Sequence, residues 1–528
     1  MKLNNKKRQD VIKCLSLFII VIVLVTFTGF IAVSCDIETN TNTSVRYVTV
    51  TGDSFIEKEQ NKNYTATVTG NNNPEQYVTW SIDTNGIATG TTINQSGVLS
   101  IATDETVSSL IIRATSTVNN SKYGTKYVII YNQGATPANW VKTEGPKILA
   151  HYMPWNIGPT YKSQEGNLNA YIGHWRGDDN WRNPTQIVDG DKSLIASREY
   201  PLTGPYDGRA DHLLRYQNAL MKLAGIDGVI ICWYSCYTNI WDFGQNQTIA
   251  TNMIRIMEEA NQEFAIMLED WPMNTDAAGM GYNMQGNVTW LRQNWFTKSN
   301  YIKVPNGKNL LFCFGPQHAS TQSAVTANDI YFVSAAWYVG DWPDSKYPWP
   351  EPATNLSTQE HLTYNYNAAS YANSLYKVAS IWPQFWDCYK DSYPNTRYPV
   401  YQYDNGVLWQ QTWEMAMATN PWAIQLVTWN DWGEGTVIEP SRERGYNELE
   451  FLQNRMREID PSFPYTAEDL RYPLEIYKLE YNQTVNGRQD TIQAAYNALW
   501  NGNVAEWRAR CTELGLEVST SNLKPIRR

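Results

Sequence analysis

Two patterns of apolar and polar positions divide the chain. From about residue 40 to residue 132, short runs alternate apolar and polar residues, as in Tyr64-Thr-Ala-Thr-Val and Tyr77-Val-Thr-Trp-Ser-Ile. Such period-two runs at short spacing predict half-buried strands and a β-sandwich. Beyond about residue 140, continuous apolar runs of strand length alternate with amphipathic stretches of helical period, which predicts repeated β-α units.

Repeated β-α units across the rest of the chain predict a (β/α)8 barrel of the TIM type. The helical pattern that starts at Asp211 ends at Gly225, a usual helix stop. Only seven strand candidates are found, and we expect the eighth between Trp337 and Ala379. The seven candidates begin at Lys147, Gly228, Phe264, Leu310, Ile330, Val378 and Ala423.

The first residues have the pattern of an export signal. Several Lys and Arg residues precede an apolar run from about Leu15 to Val33, and small residues come directly before Cys35. This arrangement resembles a bacterial lipobox and predicts that Cys35 is lipidated and becomes the mature N-terminus. The alternative is an uncleaved signal anchor, because the run is nearly long enough to span a bilayer. In both cases we expect an extracytoplasmic protein of the cell envelope, at the outer membrane or cell surface.

A chain of 528 residues has room for two or three domains. We predict a signal over 1–34, a sandwich with a short linker over 35–134, and a barrel over 140–528. Aromatic residues make up 13% of the chain and charged residues only 18%, a balance that suits clefts in which sugar rings stack on aromatic faces. The net charge of -10 argues against a nucleic acid partner, which needs clustered Lys and Arg.

The cysteines predict neither a disulfide framework nor a metal site. There are seven of them, too few for the small secreted type of disulfide scaffold in so long a chain. Cys232 and Cys236 lack a second ligand pair, so a zinc site is not expected. Cys232 and Cys313 lie in apolar runs, where a small buried thiol is the usual interpretation. No metal or cofactor is expected.

Asp431 and Glu434 follow the last strand candidate. The apolar run from Trp422 to Trp429 suits a buried parallel strand, and barrel enzymes place catalytic groups just past the carboxyl ends of such strands. Two carboxylates three residues apart on a glycine-containing turn can converge, and acid/base cleavage of a glycosidic bond needs such a pair. The alternative is an acidic turn that caps the next segment, since Asp-x-x-Glu is common by chance.

Polar and aromatic side chains also follow the other strand candidates. In a barrel they would surround one mouth and offer stacking faces, carboxylates and hydrogen bonds to hydroxyl groups. Each has a structural alternative when taken singly: rim packing for a Trp, a satisfied core residue for a His, a helix cap for an acid. The predicted substrate-binding residues are Glu269, Asp270, His151, Tyr152, Trp155, Trp233, Tyr234, His318, Trp337, Gln384, Asn430 and Trp432.

The N-terminal runs resemble the bacterial Ig-like group 2 domain. The matching segments, in the order of that family, are Val78-Thr-Trp-Ser, Ile93, Gly97-Val-Leu and Arg113-Ala-Thr-Ser. The resemblance implies an all-β Ig-like sandwich, for which we expect the role of a spacer between membrane and barrel.

The barrel region resembles bacterial glycoside hydrolase family 99-like proteins. Its last block is also similar to the α-1,3-glucanases of family 71, which are related barrels acting on α-linked glycans. The blocks that carry the resemblance are His151-Tyr-Met-Pro-Trp, Tyr200-Pro-Leu-Thr-Gly-Pro-Tyr-Asp, Leu220-Met-Lys-Leu-Ala-Gly-Ile-Asp-Gly-Val-Ile-Ile-Cys-Trp-Tyr and Trp429-Asn-Asp-Trp-Gly-Glu-Gly.

The resemblance implies roles for three acids. Glu434 matches the acid that protonates the leaving oxygen, Asp431 matches its partner, and Glu269 resembles an acid that holds the substrate. Family 99 has a glutamate at the partner position and is thought to act with net retention through the substrate's 2-hydroxyl group. Family 71 has an aspartate there and is regarded as inverting. Asp431 therefore favours a base that activates water, and the distance between the two carboxyl groups decides the stereochemical outcome.

We thus expect a lipid-anchored, monomeric glycoside hydrolase that cleaves an α-linked polysaccharide or oligosaccharide, of the α-mannan or α-glucan type, at internal bonds. The alternative is a non-catalytic glycan-binding surface lipoprotein with the same aromatic mouth, because a fold does not guarantee an activity. A transferase of polysaccharide assembly is disfavoured by the export signal, since nucleotide-sugar donors are mostly cytoplasmic.

Overall fold

The computed structural model describes most of the chain from residue 43 to residue 516. The described residues are 43–52, 55–107, 109–131, 140–177, 182–239, 242–270, 284–316, 319–338, 340–350, 360, 362–363, 366–367, 374–388 and 400–516. The predicted signal with Cys35, and also His318, lie outside them. Within the described ranges, no helix has both the length and the apolar character needed to cross a membrane.

The N-terminal region consists of strands around an apolar core of its own. Strands β2, β9, β8 and β5 form one sheet in that order, β3, β7 and β6 form a second, and β1 pairs with β4. The core includes Trp80, Leu99 and Ile112. The strands are β1 (Ser44–Thr51), β2 (Phe55–Glu57), β3 (Asn61–Asn63), β4 (Thr65–Asn71), β5 (Val78–Ile82), β6 (Thr92–Ile93), β7 (Val98–Ser100), β8 (Ser109–Ser116) and β9 (Tyr123–Tyr131).

The period-two pattern has the expected consequence in β5. Trp80 is buried, whereas its neighbours Thr79 and Ser81 are exposed, because successive side chains of a strand point to opposite faces. The described elements of this region are strands, and the Ig-like sandwich itself stays a prediction.

The second region is built on one sheet of eight parallel strands, which confirms the predicted barrel. Their order is β19-β18-β17-β16-β15-β10-β21-β20. The two edge strands lie against each other, so the barrel is nearly closed. The strands are β10 (Lys147–Tyr152), β15 (Gly228–Trp233), β16 (Glu263–Glu269), β17 (Asn309–Phe314), β18 (Ile330–Ala335), β19 (Ser345–Tyr347), β20 (Val378–Ile381) and β21 (Ala423–Leu426).

The eighth strand lies inside the interval expected from the sequence. It is β19, which has only three residues, Ser345–Tyr347, all of them buried. Four short strands lie in the long connection that follows β10. They form two antiparallel pairs, β11 (Asn156–Ile157) with β12 (Ile172–Gly173), and β13 (Ile187–Asp189) with β14 (Lys192–Ser193).

Helices connect the barrel strands and continue beyond the last one. Helix α1 ends at Leu223, and Gly225 follows with a φ of +80°, in agreement with the predicted stop. The helices are α1 (Asp211–Leu223), α2 (Phe243–Glu259), α3 (Met284–Asn294), α4 (Ala319–Val325), α5 (Val407–Ala418), α6 (Asn447–Ile459), α7 (Tyr472–Tyr481), α8 (Gln489–Trp500) and α9 (Val504–Glu513). The last four follow β21, and α7 and α8 pack on α1.

Candidate active site

Asp431 and Glu434 lie on a loop whose base is closed by hydrogen bonds. The backbone N–H of Thr428 donates to the carbonyl oxygen of Thr436 at 3.0 Å, and the two hydroxyl groups lie 2.9 Å apart. Asp431 N donates to the Thr428 hydroxyl, and Glu434 N donates to Asp431 Oδ1, each at 2.9 Å. The loop therefore holds both acids on one small turn beyond the carboxyl end of β21.

The segment after β20 supports this turn from the side. Trp386 N donates to the carbonyl oxygen of Glu434, and Cys388 N donates to that of Gly433, both at 2.7 Å. Gly435 has a φ of +64°, and a Cβ atom at this position would lie 3.3 Å from Cβ of Trp386. The close approach and the left-handed backbone both favour glycine here. Two neighbouring barrel strands thus position the acidic turn together.

Asp431 is a buried carboxyl group with a strongly shifted pKa. Its side chain is 2% exposed, and burial raises its pKa to about 7. The backbone N–H groups of Glu434 and Gly433 oppose this shift, while the charge of Asp387 adds to it. A carboxyl group of this kind accepts and releases protons near neutral pH. Glu434 is half-buried and its Oε2 atom is buried, so the turn combines one enclosed acid with one that is partly exposed.

Glu269 is the last residue of β16 and belongs to the same neighbourhood. The Cys232 thiol donates a hydrogen bond to Glu269 Oε1 at 3.2 Å. Burial raises the pKa of Tyr234 well above its ordinary value, and the nearby carboxyl groups of Asp242, Glu269 and Asp431 add to the shift. Glu269 ends β16 and Asp431 follows β21, and because the strands are parallel both acids lie at the carboxyl-end face of the barrel.

A row of three aromatic rings lies beside these acids. Trp155 stacks on His174 with centroids 4.3 Å apart and an interplanar angle of 11°, and on Tyr234 at 6.3 Å and 27°. Burial lowers the pKa of His174 to about 3, so its ring is uncharged at neutral pH. Trp155 and Tyr234 were predicted from the sequence, and the structure brings them together. His174 was missed, because it lies in a short 3-10 turn of the long loop after β10.

Tyr152 and Trp233, two further predicted residues, lie away from this neighbourhood. The Tyr152 hydroxyl donates to Oε1 of Gln217 on α1 at 3.0 Å. Trp233 is fully buried, and its indole N–H donates to Gln247 at 2.6 Å. Adjacent residues on a strand face opposite ways, so the predicted pairs Tyr152 with His151 and Trp233 with Tyr234 could not all face inward. The structure favours packing roles for both.

Asn430 and Trp432 form hydrogen bonds with other parts of the protein. Asn430 Oδ1 accepts from Met153 N at 2.8 Å, and its Nδ2 donates to the Met153 carbonyl oxygen at 3.0 Å. Trp432 is 1% exposed, and its indole N–H donates to the Tyr206 hydroxyl at 3.1 Å. These bonds hold the loop after β21 against the loop after β10. Both residues therefore support the acidic turn, and their contact with substrate stays a prediction.

Glu439, at the end of the same loop, is a second buried carboxyl group. Its Oε2 accepts from the Tyr206 hydroxyl at 2.7 Å, and its Oε1 accepts from Gln217 Nε2 at 3.1 Å. Burial raises its pKa to about 7, although these hydrogen bonds act in the opposite direction. Its partners come from the loop after β10 and from α1, so this group joins three parts of the barrel.

His151 lies inside the barrel. Its Nδ1 is 3.1 Å from Nε2 of Gln425 on β21, and its ring packs edge-on against Trp349 with centroids 5.1 Å apart. Burial lowers the pKa of His151 to about 3, so the ring is neutral at physiological pH. The side chain is fully buried, its Nδ1 contacts Gln425, and its Nε2 has no hydrogen-bond partner among the described residues, so a substrate contact for His151 stays a prediction.

Three other predicted residues occupy different positions near the carboxyl ends of the strands. Asp270 is buried and accepts from the hydroxyl of Thr321, in α4, at 2.9 Å. Gln384 is buried and donates to Glu199 Oε1 at 2.8 Å. Trp337 is half-buried and contacts Phe314 edge-on, with centroids 5.8 Å apart. Asp270 and Gln384 thus have partners within the protein.

A buried ion network, missed in the sequence, supports the mouth from one side. Arg444 pairs with Glu199 at 2.8 Å and with Glu448 at 2.9 Å. Glu199 also receives the hydrogen bond from Gln384, so the network joins the loops after β10, β20 and β21. Its members lie in loops and at a helix start, where no periodic pattern marks them. Among the described residues, no group of three or more His, Cys, Asp or Glu could hold a metal ion.

Comparisons with known proteins give a weak likeness. No family model matches the chain, and no curated protein matches it. Among solved structures, the GH99 endo-α-mannosidase from Bacteroides thetaiotaomicron is similar over 60% of this chain and 99% of that chain, with 14% identity and a TM-score of 0.44.

Two further solved structures have a similar level of likeness. That mannosidase in complex with bis-tris-propane has 15% identity, covers 60% of this chain and 98% of its own, and has a TM-score of 0.44. A glycoside hydrolase-like protein has 13% identity, 60% and 96% coverage, and a TM-score of 0.42. Likenesses at this level assign neither a family nor an activity to the chain.

Proposed function

We propose that this protein is an extracytoplasmic glycoside hydrolase that cleaves α-linked glycan, of the α-mannan or α-glucan type, at internal bonds. The observation that carries the proposal is the turn with Asp431 and Glu434. It lies beyond the carboxyl end of a barrel strand, where barrel enzymes carry their active sites, and it combines a buried carboxyl group of raised pKa with a half-buried one.

In the proposed mechanism the two acids act on opposite sides of the bond. Glu434 donates a proton to the glycosidic oxygen as the bond breaks. Asp431 accepts a proton from the attacking group, either water or a neighbouring hydroxyl of the sugar. The pKa of about 7 suits Asp431 for this role, because an efficient general base has a pKa near the working pH.

The surroundings of the turn support a neutral, hydroxyl-rich substrate. Trp155 and His174 are half-buried and keep aromatic surface exposed, whereas Tyr234 supports them from a buried position, and the low pKa of His174 keeps the row uncharged at neutral pH. Glu269, 9% exposed, supplies a hydrogen-bond acceptor for a sugar hydroxyl. Stacking faces together with a few placed polar groups are the usual features of a ligand-binding cleft.

The direct test is release of reducing ends from α-mannan and α-glucan by the wild type and by Glu434→Gln. We expect release by the wild type and its loss in the variant, with oligosaccharide binding retained. Glu414→Gln is the matched control, because Glu414 is exposed on α5. Equal yields from wild type and Glu434→Gln would exclude the catalytic role. Binding without any release by the wild type would instead identify a glycan-binding protein.

We further propose that Cys35 carries a lipid anchor and that the N-terminal region is an Ig-like spacer. Lys126 in β9 forms an ion pair of 2.7 Å with Glu468 in the segment between α6 and α7, so this region contacts the second one. Metabolic labelling with a tagged fatty acid should mark the wild type and leave Cys35→Ser unlabelled. An unlabelled wild type that remains in the membrane fraction would contradict lipidation and favour the uncleaved anchor.

A further inference from the structure

The hydrogen bond between Cys232 and Glu269 is formed within the wall of the barrel. Cys232 lies on β15 and Glu269 ends the neighbouring β16, with Cys232 paired in register to Met267. The thiol is fully buried, the carboxylate is 9% exposed, and Sγ lies 3.2 Å from Oε1. Since Trp233 points to the outside, strand alternation directs Cys232 inward, beneath the carboxylate.

The thiol keeps its proton in this environment. Burial raises the pKa of Cys232 well above its ordinary value, and the charges of Glu269 and Asp431 add to that shift. A protonated thiol is a donor and a carboxyl oxygen accepts, so the hydrogen bond runs from Cys232 to Glu269. Cys232 is consequently an inert thiol rather than a nucleophile.

The Tyr347 hydroxyl group on the inner face of the barrel is uncharged as well. It lies 3.8 Å from the sulfur atom of Met267, the residue that pairs with Cys232, and burial raises its pKa well above the ordinary value. Weakly polar groups thus lie beneath the carboxylate, and the barrel mouth lies on its outer side. In these weakly polar surroundings, a thiol that donates to the Glu269 carboxylate fixes the rotamer of that side chain. It thereby also fixes the direction from which the carboxylate contacts a ligand.

We propose that Cys232 is a positioning residue that orients the Glu269 carboxylate for a hydroxyl group of the bound sugar. The part of the proposal that concerns the sugar rests on the proposed function, whereas the contact between thiol and carboxylate does not. Its effect is expected in substrate binding, because Cys232 lies beneath Glu269 and acts only through it.

The contact can be tested by infrared spectroscopy of the S–H stretch, which moves to lower frequency when the thiol donates a hydrogen bond. We expect a band at lowered frequency that is lost in Cys232→Ala and moves upward in Glu269→Gln, because a neutral amide is a weaker acceptor. Cys511→Ser is the control, since it removes another buried thiol, in α9, and should leave this band unchanged. A Cys232 band that does not respond to Glu269→Gln would overturn the proposal.

The consequence for binding is tested by kinetics on a glycan oligosaccharide. Cys232→Ala should raise KM by about fivefold, as expected for loss of one modest hydrogen bond, with kcat nearly unchanged. Cys232→Ser retains a donor and should recover most of the loss. Equal KM values for wild type and Cys232→Ala, with the folded state confirmed by circular dichroism, would overturn the positioning role. A wild type that cleaves no glycan but has the shifted S–H band would refute the proposed function and leave the contact intact.

Discussion

The loop after β21 carries two buried carboxyl groups that are alike in pKa and different in surroundings. Burial raises the pKa of both Asp431 and Glu439 to about 7. Asp431 accepts a hydrogen bond from the backbone N–H of Glu434 in its own turn, whereas Glu439 accepts hydrogen bonds from the side chains of Tyr206 and Gln217. A raised pKa therefore does not by itself identify a catalytic group. The hydrogen-bond partners differ, and we expect a catalytic role for Asp431 and a structural role for Glu439.

The largest expected difference between Asp431 and Glu439 is the effect of their substitution on kcat. Asp431→Asn should lower kcat for glycan hydrolysis by roughly 10³-fold, because general acid–base groups contribute about 10² to 10⁴. Steady-state assays of released reducing ends would measure it. Asn retains an acceptor for the Glu434 N–H, so folding should be preserved. A variant with near wild-type turnover would remove Asp431 from the mechanism.

Substitution of Glu439 should lower the stability of the folded protein instead. Glu439→Leu leaves the Tyr206 hydroxyl and the Gln217 amide without their acceptor in a buried place, which should lower the free energy of unfolding by about 1–3 kcal/mol. Chemical denaturation would measure the loss, with Glu414→Leu on the exposed face of α5 as control. If the folded variant instead lost as much turnover as Asp431→Asn, the distinction between the two acids would fail.

Two tryptophans can be compared in the same way, one expected to contact the substrate and one expected to stabilise the fold. They are Trp155 and Trp233. Trp155→Ala removes the ring that stacks on His174 and Tyr234, and should raise KM by about tenfold through loss of apolar contact with a sugar ring. Trp233→Phe should lower thermal stability and leave KM unchanged, since Trp233 packs against Trp290 and Trp295. A KM effect for Trp233→Phe larger than that for Trp155→Ala would reverse the assignment.

The raised pKa values of Asp431 and Glu439 also predict how the stability of the protein depends on pH. The pKa values of Asp431 and Glu439 rise from ordinary values of 3.8 and 4.5 to about 7 in the folded state, so the folded chain binds more protons than the unfolded one between about pH 4 and pH 7. The stabilising contribution is fully present below about pH 4 and is lost as pH rises to about 7. Urea denaturation across this range should show the decline, and Asp431→Asn or Glu439→Gln should each make it shallower. An unchanged slope in both variants would contradict the raised pKa values.

The sequence predicts the barrel well because its strands are nearly continuous apolar runs. The exception is β19, whose three residues, Ser345–Tyr347, are too short and too polar to produce such a run. The acidic turn was also predictable, since it follows the strong strand pattern of residues 422–429. The fold class therefore follows from patterns that are local in the chain.

The rest of the candidate site depends on facts that no local pattern contains. A strand-end position does not reveal which face a residue occupies, and for this reason Tyr152 and Trp233 were grouped with inward-facing residues. Three further residues lie in long loops or just before a helix, and only tertiary contacts bring them to their partners. They are His174, Glu199 and Arg444. The contact between Cys232 and Glu269 needs the register of two strands.

The assignment of Glu434 as the proton donor is the central claim, and it can be tested with two substrates of different leaving-group strength. An aryl glycoside with a good leaving group needs no proton from the enzyme, whereas a glycan does. Glu434→Gln should retain most of the wild-type cleavage of the α-aryl glycoside while its hydrolysis of the α-linked polysaccharide falls by roughly 10²-fold or more. Equal losses on both substrates, or no loss on either, would contradict the role of Glu434 as general acid.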